Sequence, residues 1–157
     1  MRIQKIYLET TLFNFYFDED RDAHADTVRL FEDIAQGKYD AYTSIYVVNE
    51  LAAAPSIKRE KMIGLIEQYR IEVLPANKEA DRLADIYIEQ GIIPAKYKTD
   101  GIHIAIASIN NLGIIISMNF QHIVKRKVKM GTGAINILHN YPTTEILTPM
   151  EVNEYEI

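Results

Sequence analysis

The sequence predicts an α/β domain, a three-layer α/β/α sandwich around a mostly parallel, five-stranded sheet. Strand-like and helix-like segments alternate along the whole chain, which favours helical crossovers between parallel strands. The run Ile114-Ile115-Ile116 is apolar at every position, as in a strand that is buried on both faces of a parallel sheet. The chain shows no repeat and no change of composition, so residues 1–150 are predicted to form a single domain.

The first half of the chain contains three predicted strands and three predicted helices. The strands are residues 3–8, 41–43 and 71–75. The helices begin near residues 23, 45 and 56. Gly37 stops the first helix, and Ser44 is a suitable N-cap for the second, which ends at Pro55. The apolar face of the third helix consists of Ile57, Met62, Leu65, Ile66 and Tyr69. The alternating pattern of the third strand stops at Pro75.

The second half continues the alternation. Asn77 caps a helix that ends at Gly91, and Thr99 caps the next one, whose apolar stripe stops before Gly113. The remaining predicted elements are a strand at 114–116, a helix at 134–139 behind a Gly-Thr-Gly break, and a strand at 145–149. Three segments are predicted as a loop at 92–98, a basic turn or short helix at 120–129, and an acidic C-terminal tail at 151–157.

The composition is that of an ordinary globular protein and excludes several kinds of site. Apolar residues make up 48% of the chain, and the absence of cysteine excludes disulfides, thiolate zinc sites and cysteine nucleophiles. No segment approaches the ~20 apolar residues of a membrane span, and no signal-peptide pattern is present, so we expect a cytoplasmic protein without a membrane partner. A net charge of −5 argues against a protein that coats nucleic acid, but is compatible with an acidic nuclease site.

Four polar residues follow predicted strands or begin the helices behind them: Glu9, Glu50, Asp100 and Asn119. Open α/β sheets place their sites at the carboxyl edge, so these side chains are expected to converge there, with Thr10 and Ser117 supporting them. Three carboxylates and an amide form an all-oxygen donor set, which suits Mg²⁺ or Mn²⁺. Such a site acts on phosphate esters. From spacing alone, each carboxylate is equally compatible with a helix cap or a solvated surface residue.

Four stretches of the chain, in order, resemble the PIN domain family, a ribonuclease fold used by many prokaryotic toxins of toxin–antitoxin pairs. These stretches are residues 6–11 (IYLETT), 43–51 (TSIYVVNEL), 99–105 (TDGIHIA) and 116–123 (ISMNFQHI). The resemblance implies an RNA-cleaving hydrolase that binds Mg²⁺ or Mn²⁺ in an acidic cluster. It also implies a type II toxin with an antitoxin partner, and a homodimer. Glu50 and Asp100 match two of the family's acidic positions.

Two positions depart from the usual family pattern. Glu9 stands where aspartate is usual, and its extra methylene moves the carboxylate by about one C–C bond, which matters because Mg²⁺ tolerates little distortion. Asn119 stands where aspartate is frequent, which removes one negative charge. These departures motivate an alternative function, a catalytically weakened PIN-fold protein that binds RNA or a protein partner without turnover. A phosphotransferase with an aspartyl nucleophile, or a P-loop enzyme, fits less well, because Glu9 replaces the required aspartate and no P-loop is present.

Other residues near these positions are candidates for contacts with substrate. His103 follows Asp100 by three positions on one helix face and either contacts the substrate or a metal, or packs beside the apolar stripe. His122 and the basic run that includes Lys125 and Arg126 either bind RNA phosphates or form a solvated face. The rest of the run is Lys127 and Lys129, and a second pair of candidate phosphate contacts is Lys96 and Lys98.

Overall fold

A five-stranded, all-parallel sheet forms the centre of the molecule in the computed structural model, which describes residues 2–155. The strands are β1 (Gln4–Leu8), β2 (Tyr39–Ser44), β3 (Glu72–Leu74), β4 (Ile114–Ile116) and β5 (Glu145–Leu147). Their order across the sheet is β3-β2-β1-β4-β5, and every neighbouring pair is parallel. The predicted fold class and the predicted positions of all five strands are therefore confirmed.

Eight α-helices and one 3₁₀ helix surround the sheet in the described part of the chain. The α-helices are α1 (Thr10–Phe15), α2 (His24–Ala35), α3 (Ile45–Ala52), α4 (Ser56–Gln68), α5 (Lys78–Glu89), α6 (Lys98–Ile109), α7 (Arg126–Leu138) and α8 (Pro149–Tyr155). They pack mainly in two groups, α1 to α4 with α8, and α5 to α7, as expected for the two outer layers of a sandwich. The helices of residues 2–155 are all too short or too polar to cross a bilayer.

The hydrophobic core is deepest around the central strand β1. Ile6, Tyr7 and Leu8 are completely buried, as are Ile115 and Ile116 of the neighbouring strand β4. A strand that is covered on both faces needs an apolar side chain at nearly every position, and this explains the uninterrupted isoleucine run of β4.

The parallel register places the carboxyl ends of β1 and β4 side by side. Leu8 pairs with Ile116, and the backbone N–H of Glu9 donates to the carbonyl of Ile116 at 3.1 Å. The residues that follow each strand, Glu9 and Ser117, therefore leave the sheet next to each other.

Of the N-terminal caps predicted for α5 and α6, the first is confirmed and the second is not. Asn77 Oδ1 accepts hydrogen bonds from the backbone N–H groups of Glu79 at 2.8 Å and Ala80 at 3.1 Å, so its predicted capping role is confirmed. The predicted cap at Thr99 is wrong, because α6 begins at Lys98, directly after a 3₁₀ helix at Ala95–Tyr97, and Thr99 lies inside its first turn. That 3₁₀ helix lies in the segment predicted as a loop, and Asp100 remains in the first turn of α6.

The Gly-Thr-Gly sequence at residues 131–133 lies inside α7 and does not break it. Gly131 packs so closely against the side chain of Ile92 that a methyl group at this position would lie 2.7 Å from Ile92 Cγ1. Thr132 is buried, and its hydroxyl donates to the carbonyl of Val128 at 2.7 Å. Tertiary packing therefore explains the glycine, and the prediction of a separate helix at 134–139 is wrong.

The predicted acidic tail begins inside α8. Thr148 and Glu151 form a reciprocal capping box, in which the backbone N–H of Thr148 donates to Glu151 Oε1 and the backbone N–H of Glu151 donates to Thr148 Oγ1. Val152 is completely buried, and Asn153 Nδ2 donates to both the carbonyl and the carboxylate of Asp26 on α2. Residues 151–155 are therefore a docked helix, and residues 156–157 of the predicted tail lie outside the described residues.

Two further segments differ from the sequence expectations. Helix α1 was not predicted, because its six residues carry too little periodicity to be recognised and its cap is a glutamate side chain. Ile57 was assigned to the apolar face of α4, but 73% of its surface is exposed.

The two glycines of α7 provide a matched test of this packing. Gly131→Ala is expected to lower the free energy of unfolding by about 1–3 kcal/mol, because Ile92 has to move away from the new methyl group. Gly133→Ala is expected to raise it by up to about 1 kcal/mol, because none of the described residues packs within 4 Å of that methyl group and alanine favours a helix. Urea unfolding measures both changes, and a shift of the same sign in both variants would contradict the close contact with Ile92.

Candidate functional site

The carboxyl edge of the sheet carries the acidic residues that the sequence singled out. Glu9 lies at the end of β1, Glu50 in α3 behind β2, and Asp100 in the first turn of α6. Asn119 follows β4 and is joined to Glu9 through the hydroxyl of Ser117. The fold therefore brings together residues that are more than 100 positions apart in the chain.

Glu9 is almost fully buried, with 2% of its surface exposed, and its side chain caps α1. Its Oε1 atom accepts hydrogen bonds from Thr11 Oγ1 at 2.5 Å, from the backbone N–H of Thr11 at 3.2 Å and from Ser117 Oγ at 2.7 Å. Within residues 2–155, all hydrogen bonds to this carboxylate are made to Oε1. Thr11 and Ser117 therefore fix its orientation and leave the second oxygen available for another ligand.

Asn119 holds the loop after β4 in a tight turn. Its Oδ1 atom accepts a hydrogen bond from the backbone N–H of His122 at 3.0 Å, and its own backbone N–H donates to Ser117 Oγ at 2.9 Å. Its carbonyl accepts from the N–H groups of Ile123 and Val124. The amide oxygen of Asn119, which the sequence predicts as a cation ligand, thus already accepts a hydrogen bond within this turn.

Glu50 is held from two sides although 38% of its side chain is exposed. Its Oε1 atom accepts a hydrogen bond from Thr10 Oγ1 at 2.9 Å and one from His103 Nε2 at 2.6 Å. Burial alone would raise the pKa of the Glu50 carboxyl. The hydrogen bond and charge of His103, with the hydrogen bond from Thr10, outweigh burial and lower the pKa below its ordinary value, so Glu50 is ionised at neutral pH.

His103 is completely buried in α6, so it reaches the site through Glu50 and is not on the surface that a substrate would contact. Its Nδ1 atom is hydrogen-bonded to the hydroxyl of Tyr7 at 2.6 Å, and that hydroxyl is hydrogen-bonded to Ser44 Oγ at 2.7 Å. Burial would lower the pKa of His103, but the hydrogen bond to Glu50 and the charges of the neighbouring carboxylates raise it above its ordinary value.

The pKa of Asp100 is shifted upward, in the opposite direction to that of Glu50. Burial is the largest effect and raises the pKa of the Asp100 carboxyl, and the negative charges of Glu9 and Glu50 raise it further. The charges of His103 and His122 act against this increase. Asp100 is therefore within electrostatic reach of both Glu9 and Glu50 at this edge of the sheet.

The chemistry of these donors fits a hard divalent cation such as Mg²⁺ or Mn²⁺, since all of them are oxygens and three carry a carboxylate charge. No three aspartate, glutamate or histidine side chains of residues 2–155 lie close enough together to bind one ion jointly. The carboxylates are thus neighbours at one edge of the sheet rather than a completed coordination shell.

The basic residues that the sequence predicts as phosphate contacts differ in whether their charged groups are already paired within the chain. Lys125 and Arg126 are exposed at the start of α7. Lys98 is not available, because its ammonium group is paired with Asp81 at 3.1 Å and with Asp85 at 2.9 Å. Other residues of this surface are Lys96, whose ammonium lies 5.8 Å from the ring centroid of Tyr97, and His122, whose ring stacks on the same tyrosine at 3.7 Å.

Sequence reasoning missed three residues that organise the site. Thr11 bridges Glu9 and the backbone N–H of Met118, and Tyr7 and Ser44 extend the hydrogen bonds of His103 into the interior. Thr11 directly follows Glu9 and Thr10 in the sequence, so its position could have indicated a residue of the site. Tyr7 and Ser44 offered none, because only the packed structure shows which side chains their hydroxyl groups meet.

The sheet topology and the acidic edge define the class of protein. A sequence model of the PIN domain family matches residues 6–125, and the chain belongs to this family. PIN domains are generally nucleases, so the chain carries the fold of a nuclease family.

A solved structure shows the same fold. The chain is similar to one in the crystal structure of VapBC2 from Rickettsia felis bound to a DNA fragment from their promoter, with a TM-score of 0.58 and 13% identity. The similarity covers 92% of this chain and 98% of that one, so the fold is shared over nearly its whole length. No curated protein matches the chain significantly in sequence.

The contact between Glu50 and His103 lowers the pKa of the carboxyl and raises the pKa of the imidazole, so it can be tested by titration. Glu50→Gln is expected to lower the pKa of His103, because it removes the charge next to Nε2. Nuclear magnetic resonance titration of the imidazole protons measures this pKa, and His103→Gln assigns the signal by its loss. An unchanged pKa in Glu50→Gln would contradict the hydrogen bond.

The contact between Glu50 and His103 is also expected to make the free energy of unfolding depend on pH. The pKa of His103 is raised on folding, so its contribution is fully present below pH 6.5 and is lost as the pH rises through the folded-state pKa. The pKa of Glu50 is lowered, so its contribution is present above pH 4.5 and is lost as the pH falls through the folded-state pKa. The difference in urea midpoint between the parent protein and Glu50→Gln should therefore be largest between these values.

Proposed function

We propose that this protein is a metal-dependent endoribonuclease and the toxin of a type II toxin–antitoxin pair, acting on RNA in the cytoplasm. The observation that carries the proposal is the convergence of Glu9, Glu50 and Asp100, from three separate elements, at one edge of the sheet. The pKa of Asp100 is raised by burial first and then by the charges of Glu9 and Glu50. Membership of the PIN domain family supports the reaction class.

The three carboxylates do not form a joint site as they stand, so to hold Mg²⁺ or Mn²⁺ their side chains would draw together around the ion, with Asn119 as a neutral fourth group. A divalent cation supplies charge neutralisation at a phosphate and makes a bound water more acidic. The chain contributes orientation: Thr11 and Ser117 hold Glu9, and Thr10 and His103 hold Glu50. These supporting hydrogen bonds keep the second carboxylate oxygens oriented in the absence of substrate.

The exposed side chains of Lys125 and Arg126 would contact RNA phosphates beside the acidic cluster, with His122 next to them. Both cations are free of ion pairs within the described chain, unlike Lys98. Because such contacts are electrostatic and independent of sequence, they would strengthen binding without selecting a target.

An antitoxin protein is the proposed partner, and a second copy of the chain would complete a homodimer. The similarity to VapBC2 supports the partner, since that structure is a complex bound to promoter DNA.

Two features favour the alternative function, binding of RNA or a protein partner without turnover. The amide oxygen of Asn119 is engaged by the backbone of His122, and Glu9 Oε1 already accepts three hydrogen bonds. Both could weaken a cation site. Metal binding by the purified protein distinguishes the two functions, since the alternative predicts none.

Asp100→Asn tests the site directly. It is expected to abolish Mn²⁺ binding and Mn²⁺-dependent RNA cleavage while leaving the fold intact, because it removes a carboxylate charge from the cluster and keeps the side-chain shape. Calorimetric titration with Mn²⁺ measures the binding, and a labelled RNA measures cleavage. Asp40→Asn, on the exposed side of β2, is the matched control. Cleavage at the parent rate in Asp100→Asn would show that the site is wrongly assigned.

Asn119→Asp asks whether the missing charge limits the site. An aspartate oxygen can accept the hydrogen bond from His122 N–H as the amide does, so the turn should persist. The added charge is expected to tighten Mn²⁺ binding by on the order of tenfold. Asn140→Asp adds the same charge on an exposed turn elsewhere and should leave the affinity unchanged. Equal affinities in the parent protein and Asn119→Asp would place Asn119 outside the cation site.

A further inference from the structure

A buried line of hydrogen bonds ends at Glu50. Ser44 Oγ is joined to the hydroxyl of Tyr7 at 2.7 Å, Tyr7 to His103 Nδ1 at 2.6 Å, and His103 Nε2 donates to Glu50 Oε1 at 2.6 Å. Ser44, Tyr7 and His103 each have 0% of their surface exposed. Because a hydroxyl both donates and accepts, the line stays connected whether the imidazole is neutral or charged.

The three buried residues lie close in the sequence to the three carboxylates. Tyr7 lies on β1, just before Glu9, and Ser44 immediately precedes α3, which carries Glu50. His103 follows Asp100 by one helical turn on α6. The buried line therefore connects the sheet, α3 and α6 at the point where each contributes an acidic group.

The packing of α6 gives no other reason for a histidine at this position. Its neighbours Ile104 and Ala105 are completely buried and apolar, and an aliphatic side chain would fill the site without the desolvation cost of an imidazole. Ser44 occupies the N-cap position of α3, yet its side chain makes no capping hydrogen bond and is joined to Tyr7 instead. His103 therefore contacts Glu50 instead of serving only as packing, and Ser44 supports this contact through Tyr7 instead of capping α3.

We propose that His103, held by Tyr7 and Ser44, is a positioning residue that fixes the Glu50 carboxylate for a divalent cation at the acidic edge. The proposal rests on the proposed function. Helix α3 places only the backbone of Glu50, whose side chain has three rotatable bonds. A side chain that is 38% exposed needs outside contacts to keep its carboxylate in one orientation. The contact with His103 Nε2 supplies that restraint from the interior, and Tyr7 fixes the ring that makes it.

Tyr7→Phe is the most conservative test, because it removes one hydroxyl and leaves the ring of His103 in place. It is expected to weaken Mn²⁺ binding about 10- to 100-fold in calorimetric titration, the usual effect of losing a group that supports a metal ligand. Tyr87→Phe is the matched control. Tyr87 is also completely buried and donates its hydroxyl proton to Asn136 at 2.5 Å, in a network that does not include an acidic-edge residue. It should lower stability without changing Mn²⁺ affinity.

Two substitutions of His103 separate positioning from packing. His103→Leu removes the hydrogen bond to Glu50, and is expected to weaken Mn²⁺ binding as much as Tyr7→Phe or more. His103→Gln keeps an N–H donor that can reach Glu50, and is expected to restore most of the affinity even if its urea midpoint is as low as that of His103→Leu. Circular dichroism confirms that each variant is folded at the titration temperature.

The outcomes distinguish failure of this proposal from failure of the proposed function. If the parent protein does not bind Mn²⁺, both are overturned. If the parent binds and Asp100→Asn does not, but Tyr7→Phe binds like the parent, the proposed function stands and the positioning role of His103 is wrong. If Tyr7→Phe and Tyr87→Phe weaken binding equally, the effect is general destabilisation, and the positioning role is wrong as well. Selective weakening by Tyr7→Phe, with rescue in His103→Gln, supports the proposal.

Discussion

The parallel pairing of β1 with β2 on one side and β4 on the other is the constraint on which the rest of the structure depends. Parallel strands end at the same edge, so whatever follows each strand meets there. The backbone bond from Glu9 N–H to the carbonyl of Ile116 sets this arrangement, and Ser117 then reaches Glu9, 108 positions away in the chain. Because β1 and β4 are buried on both faces, a shifted register would put polar residues into the core.

The negative charge of the acidic edge is balanced by hydrogen bonds and by the charge of the buried His103. Glu9 receives three hydrogen bonds on one oxygen, and Glu50 receives two. The pKa of Glu50 falls and that of Asp100 rises although both lie at the same edge, because His103 donates directly to Glu50 and reaches Asp100 only through its charge. The interior histidine therefore decides how negative charge is distributed among the carboxylates.

Glu9 and Asn119 each have a local structural role besides the one proposed for them at the acidic edge. Glu9 is long enough to accept from the backbone N–H of Thr11 and so to cap α1. Asn119 holds the turn that leads to α7 through His122 and Val124. Each residue is thus integrated into the hydrogen bonding of the edge.

The sequence by itself determined the fold class, the five strands and the residues that meet at the carboxyl edge. It could do so because strand patterning, helix caps such as Asn77 and the order of the elements can be recognised from residues that are close together in the chain. The family followed from four short stretches and is confirmed. Only the tertiary structure decided that α7 runs through Gly131, that α8 docks through Val152, that Lys98 is paired and that Tyr7 holds His103. Each of these depends on contacts between residues far apart in the chain, and such contacts leave no periodic or capping pattern in the sequence.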